Sequence, residues 1–395
     1  MSTNRILSDW LVSYTKYTEN QESPKIFHLW CGISILASAL NRKCWSNRGY
    51  FFIYPNCYIV LVSNSALCKK TTAANIAIGV YNDVFVGTPA IAKKITLQKL
   101  LINMEKTCKV LGTSSCFLFN DELSVLIGRG GDSELMDFIT GTYHCNAIWT
   151  NETKGQGVDT LKNIFVNFLA GTTPKDLASF PSTMIDGGFA GRTIFVYSDK
   201  PRPPIHNPAA LFTDETIQLR LGLVEDLKQI ANIHGEYIMT PEADSIYKEV
   251  YDSNYMRKDF DHRLAPYQGR KGDHIIKLAM ILAASHRNET IIEPNDIKLA
   301  NVLLSQTEAG MVDTYANVGY SNTSSSKHAE KFLKLLRDNN GEIDHSYALK
   351  RLYHYINADE MATMIKTLEE SGVIKMYING LKRRYTLITH KGDEK

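Results

Sequence analysis

The stretch from Ile59 to Ala74, IVLVSNSALCKKTTAA, constrains this chain more than any other, because a continuous apolar run passes straight into a polar loop and then a helix. Ile59 to Val62 has the pattern of a strand covered on both faces. The loop from Asn64 to Thr71 reads N-S-A-L-C-K-K-T and aligns with the phosphate-binding pattern G-x-x-x-x-G-K-[ST], with both glycines replaced, by Asn64 and Lys69. Lys70 and Thr71 stand where the phosphate lysine and the Mg2+ hydroxyl belong. The amides of Asn64, Ser65, Ala66, Leu67, Cys68 and Lys69, continuing into Lys70, Thr71 and Thr72 at the helix start, would cradle phosphates. Lys70 would neutralise the terminal ones and Thr71 would bind Mg2+. Asn64 suits the first glycine position because asparagine visits left-handed conformations more readily than most residues, whereas Lys69 fits the second less well. These residues alone also suit a basic turn before a helix, and the motifs downstream decide between the two.

At 395 residues the chain predicts about two or three domains. A content of 44% hydrophobic and 22% charged residues is that of a soluble globular protein with room for a large core. Net charge is +2, so a nucleic-acid surface has to be a local basic patch. The seven cysteines all fall at or before Cys145 and include no C-x-x-C pair, which argues for reduced thiols, against a zinc site, and for a reducing cytoplasm. MSTNRILSDWLVSY lacks the apolar core of a secretion signal. The apolar run from Cys31 to Leu40 is too short to span a bilayer, so no membrane role is expected.

Residues 1–50 read as a helical segment, with Trp10, Leu11, Tyr14 and then Phe27, Trp30, Ile33, Leu36 at helical spacing and facing a core. Residues 91–109 read as a basic amphipathic helix with Lys93, Lys94, Lys99, Lys106 and Lys109 on a solvated face. SCFLFNDE, Ser115 to Glu122, predicts a buried strand ending in adjacent carboxylates. That is the form of a Walker B element, in which Asp121 would hold Mg2+ through its waters and Glu122 would orient or deprotonate the attacking water. An Asp-Glu pair by itself also suits a solvated turn. Its position roughly fifty residues after the loop, with one βα unit between, is what a phosphate-loop fold requires, and together the two motifs predict an ATPase.

From Gly141 to Asn163 the alternation around Lys154-Gly155-Gln156-Gly157 predicts a β-hairpin with a glycine-rich tip. It is either a plain surface hairpin or a carrier that presents Lys154 to a phosphate backbone. NIFVNFLAGTTP predicts a further buried strand ending in Thr172 and Thr173, hydroxyls suited to a γ-phosphate or the attacking water. DGGFAGRTIFVYSD places Arg192 just before another strand, at that same end of the sheet, as an arginine finger or a structural ion-pair partner. Pro201, Pro203, Pro204 and Pro208 mark a rigid boundary closing a core over 51–205. Helical patterns fill 206–320, with Thr240-Pro241 and Glu293-Pro294 as helix starts. After the polar linker SNTSSSK, residues 327–395 read as three helices and a two-stranded wing, a winged helix whose Lys382, Arg383 and Arg384 suit phosphate contact. A protein-contact or regulatory role is the alternative for that domain.

Taken in this order, the motifs from Val60 to Leu304 resemble the MCM-like AAA+ helicases carried by phages, plasmids and other mobile elements. FHLWCGISILASALNRKCW followed by YPNCYIVLV also looks like a phage family of helicase-like phosphate-loop proteins. The resemblance implies an α/β phosphate-loop AAA+ core with an inserted hairpin, a helical lid and a C-terminal winged helix. It implies ATP and Mg2+ as cofactors, single-stranded DNA in the pore of a hexameric ring, duplex DNA at the winged helix, a primase or loader as partner, and a bacterial host cytoplasm as location. By it Lys154 lines the pore, Arg192 is the arginine finger acting on the adjacent subunit, and Arg270, in RKGDHIIKLA, is a second cation acting in trans. The family's sensor before proline falls on Thr173, with Thr172 as the other choice. The family's N-terminal DNA-binding collar is replaced by a short helical segment. The expected activity is ATP-dependent DNA unwinding or translocation in replication of a mobile element. The alternative is a nucleotide-binding initiator or regulatory scaffold with little or no turnover.

Overall fold

The computed structural model describes residues 5–88, 90–91, 95–127, 133–153, 157–180, 188–257, 261, 264–315, 324–379 and 382–388. The chain divides into two compact units, Met1–Tyr315 and Ala316–Lys395, so the segments expected at 1–50, 51–205 and most of 206–320 lie within one unit.

The larger unit carries a four-stranded parallel sheet made of β1 (Tyr58–Val62), β2 (Ser115–Asn120), β3 (Phe165–Thr172) and β4 (Thr193–Tyr197). The strand order is β2-β3-β1-β4. Tyr58 lies between Phe168 and Thr193, and Val62 between Thr172 and Tyr197. All residues of β1 and β3 are buried, which is why their sequences run apolar without alternation. The polar exception, Asn167, donates to Ser34 and Ser38 and accepts from the Cys57 amide, so its burial leaves no unmet hydrogen bond. Ile91 adds an isolated parallel bridge outside β2. The chain thus runs from the central β1 out to the β2 edge, back through β3, and across to β4. Connections that part on either side of β1 leave a crevice at the carboxyl ends of the strands.

The long helices of this unit are α1 (Trp10–Tyr17), α2 (Lys25–Leu40), α3 (Lys70–Val84), α4 (Leu97–Leu111), α5 (Asp214–Ile230), α6 (Pro241–Met256), α7 (Lys271–His286) and α8 (Pro294–Tyr315). α2 has no polar face and is buried continuously from Trp30 to Leu40, as a helix apolar all round must be. α1 crosses it at Gly32, where a Cβ would come within 2.8 Å of Leu11 and 2.9 Å of Tyr14. The N-terminal segment is tied to the helices after the sheet. Arg5 donates to the carbonyls of Ala284, Ser285 and Arg287 at the end of α7, and Asp226 accepts the Ile6 and Leu7 amides. α4 starts later than its sequence pattern suggests, because the Thr96 hydroxyl caps it by accepting from the Lys99 amide. Lys93 and Lys94 lie outside the described residues. No described helix is long and apolar enough to cross a membrane.

Among its described residues the smaller unit has three helices, Ser324–Arg337, His345–Leu352 and Ala358–Glu370, around a core that includes Phe332, Leu336, Met361, Met364 and Tyr385. Its antiparallel sheet has three strands, Glu342–Asp344, Lys382–Leu387 and Ile374–Asn379, in that spatial order. The first is too short to leave a periodic signal, and it supplies the acids that pair with the wing. Arg384 donates to Asp344 and Glu342, each at 2.7 Å. Of the three wing cations expected to meet phosphate, Arg384 is therefore spent on carboxylates, while Arg383 is exposed. The side chain of Lys382 lies outside what is described.

Candidate functional site

The loop after β1 ends at α3, whose N-cap residue is Lys69 and which has no side-chain cap. Its first amides are therefore open to an outside acceptor, and the helix dipole favours an anion there. The two left-handed residues of the loop are Ala66, φ 59°, and Lys69, φ 45°. Asn64 is not among the left-handed residues, so its expected substitution for the first glycine is not how the loop turns. Lys69 does adopt the conformation that the second glycine supplies in the general pattern. Ser65, Ala66, Leu67, Thr71 and Thr72 are exposed, and Cys68 is buried. Lys70 folds back on the loop, donating to the Ser63 carbonyl at 2.8 Å and its hydroxyl at 3.0 Å. Burial lowers the pKa of Lys70, and the nearby charges of Cys68, Asp176 and Glu122 oppose that shift.

Three strand ends meet at this loop. Asp121 and Glu122 follow β2 directly and are exposed, with the Glu122 amide fixed by the Asn120 side chain at 3.0 Å. Gly171, near the end of β3, allows the close approach. A Cβ there would lie 2.5 Å from the Asp121 carbonyl oxygen and 3.8 Å from Lys70 Cε. Thr172 and Thr173 part company. The Thr173 hydroxyl donates to the Asp176 carboxylate at 2.7 Å and accepts from its amide at 3.1 Å, capping the helix Pro174–Ser179. The Thr172 hydroxyl is buried without a hydrogen-bond partner, beside the loop whose Ser63 amide donates to its own carbonyl. A buried hydroxyl left unpaired costs about 1–3 kcal/mol, which an incoming acceptor would recover. Sequence reasoning missed Gly171 and Asp176, although a glycine ahead of two hydroxyls at a strand end was a usable signal for the first.

The donors gathered here, two carboxylates and the Thr71 hydroxyl, are all oxygen, which suits a hard cation such as Mg2+ that keeps several waters. Among the described residues no group of three or more His, Cys, Asp or Glu is arranged as a metal site of its own. The cysteines are free, and burial pushes Cys44, Cys57 and Cys116 up to about 12, so they are inert thiols.

Arg192 lies elsewhere. It precedes β4, whose Thr193 pairs with Tyr58 at the start of β1, so it stands at the amino end of the parallel sheet and not at the loop end as expected. The strand between them separates it from its own loop by about 13 Å along the sheet. There it donates to the Gly188 carbonyl at 2.8 Å, lies over the Tyr143 ring at 5.9 Å, and keeps a buried Nε without a partner. Burial lowers its pKa, and the neighbouring charge of Arg270 lowers it further. Arg270 is half-buried at the start of α7. The two are brought together by Gly191, whose Cβ would lie 2.5 Å from the Pro266 carbonyl oxygen, and by His274. His274 Nε2 donates to the Gly191 carbonyl at 3.2 Å, because a carbonyl can only accept. Its Nδ1 therefore accepts from the Tyr143 hydroxyl at 3.3 Å. Lys277 completes the group, with its ammonium over the Tyr143 ring, 4.1 Å from the centroid, and donating to the Asn56 carbonyl at 3.1 Å.

The hairpin strands Ile148–Thr153 and Gly157–Lys162 pair antiparallel as expected, and Lys154 lies outside the described residues. A cavity of about 410 Å3 flanks the second turn of α3, lined by Tyr17, Asn20, Gln21, Ile76, Leu211 and Phe212 among others. A larger one of about 900 Å3 lies along α4 and the β2 edge and includes no residue of the loop.

No protein-family model matches the chain, and no curated protein matches it. Among solved structures, it aligns with the full-length MCM homolog from Methanopyrus kandleri at 15% identity and a TM-score of 0.41. The alignment covers 76% of this chain and 59% of that one, so the chain spans less than two thirds of the neighbour's length.

Proposed function

We propose that this chain is a nucleotide-driven motor of the AAA+ kind, an ATP-dependent DNA helicase or translocase that works as a ring. One observation carries the reading. An uncapped helix N-terminus, Lys70, the Asp121-Glu122 pair and an unpartnered buried hydroxyl converge at one end of three adjacent parallel strands. Arg192 and Arg270 pair at the other end. Phosphates would lie on the amides from Ser65 to Thr72, with Lys70 turning from the Ser63 carbonyl to meet them. Mg2+, when bound, would supply charge neutralisation for the transferring phosphoryl group, and Thr71 and Asp121 would hold it. Glu122 would accept a proton from the attacking water. Thr172, rather than the capping Thr173, would donate to the terminal phosphate. The base would occupy the cavity beside Ile76 and Phe212, whose apolar lining and amide groups suit a nucleobase. Arg192 and Arg270 would act on a neighbouring subunit, since both stand a strand length away from their own loop. The DNA, the hairpin tip with Lys154 in the pore, the lid, the winged helix and the mobile-element setting rest on the resemblance in motif order.

The second reading, a scaffold that holds nucleotide without turning it over, has one observation in its favour: Lys70 is already satisfied by its own loop. ATP hydrolysis by the purified chain, with and without single-stranded DNA and with Lys70→Ala as control, separates the two. Hydrolysis that DNA stimulates and Lys70→Ala removes is expected. Nucleotide binding with no hydrolysis in either condition would move the reading to the scaffold.

A further inference from the structure

The phosphate loop of this chain has no glycine, yet it makes the turn for which glycine is the usual residue. Lys69 sits at φ 45°, ψ 45°, immediately before the first residue of α3. Left-handed geometry is uncommon and strained for a side-chain-bearing residue unless its surroundings hold it there. Lys69 is held from outside the loop. Its ammonium forms an ion pair with Glu22, and its carbonyl accepts from the Ser23 hydroxyl at 3.0 Å. Both partners are themselves anchored. Ser23 is fully buried just ahead of α2, the core helix. Glu22 accepts from the Ile205 amide at 3.0 Å through its carboxylate, and from the Arg202 amide at 2.9 Å through its carbonyl. Lys69 and the Ile205 amide hold the Glu22 carboxyl below its ordinary range, so it is charged wherever the loop would work.

We propose that Glu22 and Ser23 are positioning residues for the phosphate loop: they impose from a distance the backbone turn that glycine makes locally, so nucleotide affinity depends on an ion pair whose acid lies outside the loop. This rests on the nucleotide-binding reading above. The pair has a second effect, since it draws the Lys69 charge towards Glu22 and leaves Lys70 as the loop's cation for the terminal phosphates. Clamping one side of the turn through the side chain and the other through the carbonyl fixes the direction of the amides at the start of α3. Those amides are the part of the loop that an anion would contact.

The test is a double-mutant cycle on the full chain, read by binding of a fluorescent ATP analogue with Mg2+ at low and high salt. Glu22→Ala is expected to weaken binding about tenfold, the scale of releasing one strained backbone residue. In a Lys69→Gly background, where the turn needs no clamp, the same Glu22→Ala change should cost less than about twofold. High salt should weaken the wild type more than Lys69→Gly, because the pair is partly exposed. Ser23→Ala should behave as a weaker Glu22→Ala. A general loss of fold from cutting the Ile205 contact would persist in both backgrounds, so equal loss in the two overturns the proposal, as does full binding by Glu22→Ala. Absence of binding by the wild type overturns the nucleotide reading itself and this inference with it. Binding by the wild type with an uncoupled cycle overturns the clamp alone.

Discussion

The two ends of the parallel sheet are built on opposite principles. At the carboxyl end the polar groups are either exposed or short of partners: open amides at α3, the exposed Asp121 and Glu122, and the buried but unpaired Thr172 hydroxyl. At the amino end the cations are packed into the fold, with Arg192 and Lys277 over the Tyr143 ring and His274 bridging Tyr143 and Gly191. Among the described residues, the first neighbouring charge that acts on Arg192 is the like charge of Arg270. A site that must admit and release its own ligand keeps its donors in water. If the amino-end cations meet a ligand held by another molecule, as proposed, their arrangement has to be formed beforehand, because contact is brief and reordering side chains then would waste the encounter.

The comparison breaks or holds first on Arg192. Arg192→Ala should lower ATP turnover by about 10³-fold or more while nucleotide binding stays, if the arginine meets a neighbour's phosphate. Mixing it with Lys70→Ala sharpens this. If the chain works as the proposed ring, each variant is expected to be inactive alone, but a mixed ring would have interfaces with an intact loop on one side and an intact arginine on the other. Activity should return on mixing, and a mixture as dead as its parts would place Arg192 among purely structural residues.

At the other end, Glu122→Gln should cut turnover by about 10²–10⁴-fold and keep binding, since the amide preserves shape and hydrogen bonding but not basicity. Mixing should not rescue it through an arginine-deficient partner as fully as it rescues Lys70→Ala, because bound nucleotide would trap the assembly. Loss of binding in parallel with turnover would mean that the carboxylate is there to shape the loop.

Next in size is the contrast between the two threonines. Thr172→Val removes an unpaired hydroxyl and fills the same space, so the fold should hold while turnover drops about tenfold from the loss of one donor. Thr173→Ala removes a helix cap and should cost about 1 kcal/mol of stability with smaller effects on turnover. The opposite ranking would return the role to Thr173. This pair also marks the limit of what the sequence could tell. β1, β2 and β3 were legible because strands buried on both faces must run apolar; the position of the Asp121-Glu122 pair was legible because it ends one of those runs, and that of Lys70 because it opens the helix after the loop that follows another. Which of two adjacent hydroxyls is free was not legible, since that depends on whether Asp176 turns back to accept from Thr173. Nor was the end of the sheet on which Arg192 stands, which is a matter of strand direction and not of local pattern. The partners of Lys69 and Arg384 were hidden for a similar reason. Glu22 is far off in sequence, and Glu342–Asp344 is too short a strand to show a period.

The smallest expected effect concerns pH. Burial pushes His274 down to about 3, so in the fold it is neutral, with its one proton on Nε2 facing the Gly191 carbonyl. In the unfolded chain it would titrate near its ordinary value of about 6.5. Between those values the unfolded state binds a proton that the folded state refuses, so stability falls as pH drops, by up to about 1.4 kcal/mol per pH unit for this group. His274→Gln offers an amide that can still donate towards Gly191 but does not titrate in this range. Its unfolding midpoint should therefore lose less than that of the wild type between pH 6 and about pH 4. The same variant should retain most turnover near neutral pH, because the bridge that holds Arg192 near Arg270 survives, whereas His274→Leu should lower turnover with binding intact. An acid limb identical to the wild type would mean that His274 takes its proton inside the fold. The amino end would then be less tightly preformed than its packing implies, and the contrast with the open carboxyl end would narrow to a difference in exposure alone.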